Sequence, residues 1–155
     1  TKLDCENIAK TYSEQGLKNI GLRYFNVYGI GQTSSYAGVI TKFVRQLKQG
    51  KPPIIFGNGS QIRDFIHVSD IAEANISAME SNVESDFFNI GSGKPTSILE
   101  LARLMIKISR FDLEPIFKKP VTGDVELSMA DIIHAKKIKW KPKISLEEGL
   151  QEIIK

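Results

Sequence analysis

Apolar positions along this chain recur with two periods, and the period changes at turn residues. Cys5, Ile8, Ala9 and Tyr12 stand at i, i+3, i+4 and i+7, which predicts an amphipathic helix over 3–15 that ends at Gly16. The run from Asn19 to Val27 is rich in β-branched and aromatic residues and reads as a strand ending at Tyr28-Gly29. A Gly/Ser/Gln-rich loop over 29–38 follows, and loops of this length at a strand end are often functional. Ile40, Phe43, Val44 and Leu47 return to helical spacing, and Gly50 with Pro52-Pro53 closes that helix.

The second half repeats the alternation. Ile54-Ile55-Phe56 is a short strand, then comes the turn Gly57-Asn58-Gly59-Ser60, then a strand over 63–68. Ser69 or Asp70 is expected to cap a helix reaching about Ser81. Phe87–Ile90 is a buried-strand candidate stopped by Gly91-Ser92-Gly93. Ser97 with Glu100, and Ser145 with Glu148, are spaced as capping boxes at the heads of two further helices. A strand over 115–118 and a short helix near 131–137 complete the pattern, which is that of an α/β fold.

Composition adds bounds. With 155 residues and 41% hydrophobic content the chain has enough apolar surface for a packed core. The single Cys5 forms no internal disulfide, which points to a reducing, cytoplasmic setting, and its place on the helix stripe predicts a core position. A net charge of +3 is too mild and dispersed for a nucleic-acid partner, and no apolar run approaches the ~18 residues of a membrane span. The chain opens at Thr1, inside a helix and without an initiator Met, as a piece of a longer protein would.

Two glycine-rich turns imitate nucleotide loops without their chemistry. In Gly57-Asn58-Gly59-Ser60-Gln61-Ile62, Ile62 stands where a third glycine belongs, and a strand follows instead of a helix N-terminus. In Gly91-Ser92-Gly93-Lys94, Pro95 replaces the hydroxyl residue that would hold magnesium. His67 and His134 lie far apart with no ligand at metal spacing, so no metal is expected, and His67 reads as a satisfied, half-buried strand residue. Polar residues at strand ends are more telling. Asn26, Arg63 and Asn89 sit where open α/β sheets gather ligands; an arginine there suits a phosphate and an asparagine a mixed donor–acceptor edge. A structural reading stands beside this: Arg63 pairing with Asp64 or Asp70, and Asn26 and Asn89 as turn formers.

The segments LRYFNVYG (22–29), GNGSQIRDFIHVSDIA (57–72), FFNIGSGKPTSILELA (87–102) and GDVELSMADIIHAKK with its WKPKISLEEGL continuation (123–150) resemble, in order, the NAD-dependent epimerase/dehydratase family. These are extended short-chain dehydrogenases acting on nucleotide sugars, with UDP-glucose 4-epimerases among them. The resemblance implies the last part of a Rossmann-like sheet plus the small mixed α/β substrate-binding lobe. Residues 1–30 would be the last helix and strand of the NAD-binding domain and 31–155 the nucleotide-sugar domain, with 86–108 returning to the Rossmann sheet. Lys2 looks like the lysine of the family's Tyr-x-x-x-Lys, whose tyrosine would precede Thr1; it would hold the nicotinamide ribose and lower the tyrosine's pKa.

The remaining roles carry over by resemblance. Tyr24 would lie against the nicotinamide end of the cofactor, Asn26 would contact the diphosphate–sugar region, Phe56 the nucleobase and Arg63 the diphosphate, with Gln61 and Asn89 as further substrate-side groups. Asp70 is assigned to its helix cap. Val121 stands where many relatives carry a second diphosphate-binding arginine, two residues before the Gly-Asp that is here Gly123-Asp124, and Lys118 or Lys119 is expected to reach in instead. Ser128 stands near where an aromatic often follows. In the family NAD takes a hydride from a sugar carbon while the tyrosinate takes the hydroxyl proton, and the keto-sugar is then reduced from its other face. The resemblance implies a UDP-sugar ligand, no nucleic-acid or membrane partner, no turnover by this chain alone, and a dimer or larger assembly through the first helix. A sugar-nucleotide-binding or oligomerisation module completed in trans is the alternative.

Overall fold

The strand expected over 19–27 is two strands. In the computed structural model, which describes residues 1–33 and 38–155, β1 (Asn19–Tyr24) and β2 (Asn26–Tyr28) are separated by Phe25, where the chain changes partner. β1 runs parallel to β6 (Ser85–Ile90), and β2 runs parallel to β5 (Phe65–His67). The Phe25 amide still donates to Ile90 O, but the Asn26 amide donates to Asp64 O, so the switch takes one residue. Part of the loop expected to be functional, residues 34–37, lies outside the described residues.

The run over 63–68 divides in the same way, into β4 (Ile62–Arg63) and β5, with Asp64 between them and Val68 already helical. Three more short strands complete the set: β3 (Ile54–Phe56) parallel to β8 (Ile116–Lys118), and β7 (Thr96–Ser97), which the sequence pattern does not announce, antiparallel to β4. The helices are α1 (Lys2–Glu14), α2 (Val39–Lys48), α3 (Val68–Glu80), α4 (Ile98–Ser109) and α5 (Leu146–Ile154), with a 3-10 helix over Ile133–Ile138. Both expected capping boxes form: the Ser97 and Ser145 hydroxyls accept the Glu100 and Glu148 amides while those carboxylates accept the serine amides in return.

Two apolar clusters carry the packing. One joins Phe43 and Leu47 of α2, Ile55, Phe65, Leu101 and Met105 of α4, and Leu150 of α5. The other packs Ile66, Ile71, Ala74, Phe88, Ile90, Ile138 and Trp140 around α3 and β6. α5 reaches the first through Gly149, where a Cβ would collide with the Tyr28 hydroxyl and come within 2.9 Å of the His67 ring.

Three expectations are corrected. Cys5 is exposed, and Ile8 and Tyr12 are 57% and 51% exposed, because α1 meets β1 through polar groups: Glu6 pairs with Arg23, and the Ser13 hydroxyl accepts from the Asn19 side-chain Nδ2 at 2.5 Å. α3 is capped by neither Ser69 nor Asp70. His67 Nδ1 accepts the Ser69 amide at 3.3 Å, while Asp70, buried in the first turn, accepts the Lys143 and Ile144 amides at 3.0 and 3.1 Å and ties the 143–144 segment to α3. His67 itself is fully buried, and its second nitrogen has no hydrogen-bond partner; Glu152 Oε2 stands 3.4 Å away without hydrogen-bond geometry. The Tyr28 hydroxyl beside it is likewise buried without a partner, and burial, helped by Asp70, Glu152 and Glu148, pushes the phenol well above its ordinary pKa, so it stays protonated.

Candidate substrate-binding trench

The ends of β2, β3 and β4 and the first turn of α2 converge on a cavity of about 400 Å3. Asn26 opens β2, Phe56 closes β3, Arg63 closes β4 and Gln61 immediately precedes it, and all four line this space. Gly38, Val39, Lys42 and Phe43 of the α2 start and the Val121–Asp124 segment line it as well. A wider depression of about 1090 Å3, lined by Gly57, Asn58, Phe117, Lys118 and Pro120, shares Gln61, Val121 and Asp124 with it, so the two form one trench. The stretch that follows Val121–Asp124 is tied to β4 by the backbone: the Ile62 amide donates to Glu126 O at 2.8 Å and the Ser128 amide to Ile62 O at 3.1 Å.

Arg63 is the most constrained group in the trench. Its side chain is 15% exposed, and its guanidinium donates to Ile62 O at 2.8 Å, to Val125 O at 2.5 Å and to Asp124 Oδ1 at 2.5 Å. A guanidinium carries about five N–H donors, so those contacts fix the plane and leave donors for an incoming anion. Arg63 pairs with neither Asp64 nor Asp70; its carboxylate partner is Asp124. Gln61 donates to Phe56 O at 2.9 Å and to Asp124 Oδ2 at 3.3 Å, and its Oε1 is buried without a partner. The Asn26 side-chain amide donates to Asp64 O at 3.0 Å, which sets its rotamer at the trench wall.

Asp64 explains why Arg63 and Asn26 are so well placed. Fully buried between β4 and β5, its carboxylate accepts the Ser92 amide and hydroxyl, each at 2.6 Å, the Gly93 amide at 2.9 Å and the Ala130 amide at 3.1 Å. The turn that imitates a phosphate loop thus does gather amides around an anion, but the anion is the protein's own. Gly91 permits the approach, since a Cβ there would come within 2.7 Å of the Asp64 carboxylate.

The other three expected site residues lie outside the trench lining. Lys2 heads α1, exposed to solvent. Tyr24 donates to Asn75 Oδ1 at 2.9 Å and borders a separate cavity with Asn19, Leu22 and Asn75, to which Lys2 does not belong. Asn89 donates to Asp131 O at 3.2 Å. Lys42, Asp124 and Thr122 line the trench without having been singled out. The cation that joins Arg63 in the inner cavity is Lys42; Lys118 borders only the wider depression, and Lys119 lines neither. The signal for Lys42 was a lysine in a helical first turn that holds no acidic residue. No group of three or more metal-ligating side chains occurs among the described residues, and no described helix is long and apolar enough to cross a membrane.

Parallel strand pairs, connecting helices and a polar trench at the strand ends define a mixed α/β fold. The family model for the NAD dependent epimerase/dehydratase family matches residues 1–91, and the chain belongs to that family. It is 40% identical over 151 residues to a putative UDP-glucose 4-epimerase of Methanocaldococcus jannaschii, covering 96% of this chain and 49% of that protein. Among solved structures, the UDP-N-acetylglucosamine 4-epimerase of Methanobrevibacter ruminantium in complex with UDP-N-acetylmuramic acid superposes with a TM-score of 0.93 at 38% identity, over 99% of this chain and 50% of that one. The UDP-glucose 4-epimerase of Thermotoga maritima with UDP-glucose gives a TM-score of 0.87 at 40% identity, over 98% and 48%. The chain therefore spans about half the length of the relatives it matches.

Proposed function

We propose that this chain is the nucleotide-sugar-gripping portion of an NAD-dependent UDP-sugar epimerase, with the trench as the seat of the nucleoside diphosphate. One observation carries the reading: Asn26, Phe56, Gln61 and Arg63, chosen from sequence as substrate-side groups, line a single cavity. The half-exposed Phe56 ring offers a flat apolar face for a base, the constrained Arg63 guanidinium offers N–H donors for a diphosphate, and Asn26 offers an amide for the sugar side. The relatives that hold UDP-sugars support the UDP-sugar class.

Lys2 and Tyr24, assigned to NAD by resemblance, stand at the head of α1 and the end of β1, apart from the trench lining. Lys2 is not among the residues lining the cavity that Tyr24 borders, and the 155 residues contain neither a Tyr-x-x-x-Lys nor a G-x-G-x-x-G. The chain's own contribution is binding and orientation, and no proton or hydride step is assigned to it. Calorimetric titration with UDP tests this: saturable binding is expected, weakened at least about ten-fold in Arg63→Ala by loss of a bidentate anion contact. No saturable UDP binding by the folded chain overturns the reading. With NAD and UDP-glucose added, the chain is expected to form no UDP-galactose, and turnover would overturn the assignment of catalysis to groups outside it.

The second reading, a binding module completed in trans, rests on α1, whose apolar residues face solvent. It predicts the same UDP binding, together with assembly into a dimer or larger species.

A further inference from the structure

The electrostatics of the inner cavity are unbalanced in one direction, and the imbalance lies at the start of α2. Its charged lining residues are Lys42, Arg63 and Asp124. Asp124 is committed to Arg63 at 2.5 Å and to Gln61 at 3.3 Å, whereas no ion pair among the described residues includes Lys42. Lys42 is thus the uncompensated charge of the cavity.

Its position makes that charge unfavourable for the helix itself. The Lys42 amide donates to Gly38 O at 3.2 Å, closing the first turn, so the ammonium is carried at the positive end of the helix dipole. The first turn holds no acidic residue, and the N-cap, Gly38, has no side chain to receive the free amides. Arg45 and Lys48 occupy the last turn, where a cation is favourable. A helix that obeys the charge rule at one end and breaks it at the other, on the wall of a cavity that already holds an arginine, has the pattern of a site waiting for an anion.

We infer that Lys42 is a specificity-determining residue that places its ammonium on the diphosphate of the bound nucleotide opposite Arg63. Arg63 supplies an oriented planar fork and Lys42 a mobile point charge, so the diphosphate is held from the β4 side and from the α2 side. The inference rests on the proposed nucleotide-sugar reading of the trench and adds the element that distinguishes a diphosphate from an uncharged nucleoside.

Titration calorimetry of the chain with UDP, uridine and pyrophosphate, on the original sequence and on Lys42→Ala, Lys42→Met and Lys42→Arg, tests it. Lys42 is exposed and its charge is unfavourable at the head of α2, so the neutral variants are expected to melt at or slightly above the original temperature, which circular dichroism checks. UDP and pyrophosphate affinity should fall about ten-fold in Lys42→Ala and Lys42→Met, uridine affinity should not move, and Lys42→Arg should stay within about three-fold of the original. The salt dependence of UDP binding should also flatten in the neutral variants. UDP binding that is equal in Lys42→Ala and the original overturns the inference and leaves the trench reading standing. An equal loss for uridine and UDP overturns it as well, since Lys42 would then be shaping the trench instead of pairing with phosphate. Absence of UDP binding by the original chain overturns both.

Discussion

Helices α1 and α4 are close to equal in length, 13 and 12 residues, both open with a capping box, and both carry an apolar stripe at helical spacing. α4 buries Leu101, Ala102, Met105 and Ile106; α1 buries no residue at all. The helix signals were equally good, so the difference lies in what stands opposite. α4 faces α2, α5 and β7, whereas among the described residues α1 meets chiefly β1, through Glu6–Arg23 and Ser13–Asn19, with Lys10 over the Phe87 ring of β6. Periodicity identifies a face; it does not supply the surface that the face packs on. The trench stands on the α2–α4–α5 side of the molecule: Phe43 and Ile55 belong both to its lining and to the apolar cluster there, so the trench is built on the better-packed part of the chain.

The largest break should come from Asp64, whose carboxylate holds the Ser92–Gly93 turn and Ala130. Asp64→Ala leaves the Ser92, Gly93 and Ala130 amides without their acceptor in the interior and is expected to cost on the order of 4 kcal/mol, read as a lower midpoint in urea. Next comes the direct contrast of the helices. Leu101→Ala, fully buried, should cost about 2–5 kcal/mol, whereas Ile8→Ala should change stability by less than about 0.5 kcal/mol. Equal costs would mean that α1 is covered in solution. Light scattering examines the same point: Leu3, Ile8 and Tyr12 are more than half exposed, so the chain is expected to associate at high concentration, and Ile8→Glu should shift it towards monomer. A monomer at high concentration would remove the argument for assembly through α1.

Much of the element order was legible because turn residues punctuate it: Gly16, Gly50 with the following prolines, and Gly91-Ser92-Gly93 all stand at element ends. What escaped was partner exchange. Nothing in Arg23-Tyr24-Phe25-Asn26 announces that the backbone leaves β6 for β5, since apolar content continues through Phe25 and the switch is made by two amides choosing different carbonyls. Asp64 was read only as an ion-pair partner for Arg63 and Asp70 as a helix cap, because their acceptor role depends on amides 28–29 and 73–74 residues away, a separation to which local spacing is blind. In the trench, Arg63 and Gln61 were identifiable from their motif. Lys42 was not, because its meaning depends on the cavity that the 121–124 segment lines with it.

The smallest expected effect separates the two helices by their caps and not by their cores. The Ser97 amide, then its hydroxyl, hold the Glu100 carboxyl below its ordinary value of 4.5, against a weaker upward push from burial. A carboxylate with a lowered folded pKa stabilises fully above its unfolded value, and that contribution is lost as pH falls through the folded value. The α4 cap should therefore be intact at neutral pH and fail progressively below about 4.5. Ser97→Ala should lower stability by about 1 kcal/mol at neutral pH. The penalty should shrink in acid, where the original chain has lost the reciprocal Glu100 contact as well. Asp4 of α1 is also held low, first by the amino group of Thr1 and then by its hydroxyl, but α1 is not packed into either apolar cluster. Asp4→Asn should leave the cooperative melt where it is and register only as fraying of α1 by amide exchange. A matching drop in melting temperature for Asp4→Asn and Ser97→Ala would show that α1 unfolds together with the rest of the molecule, and the contrast between the two helices would then be one of exposure without independence.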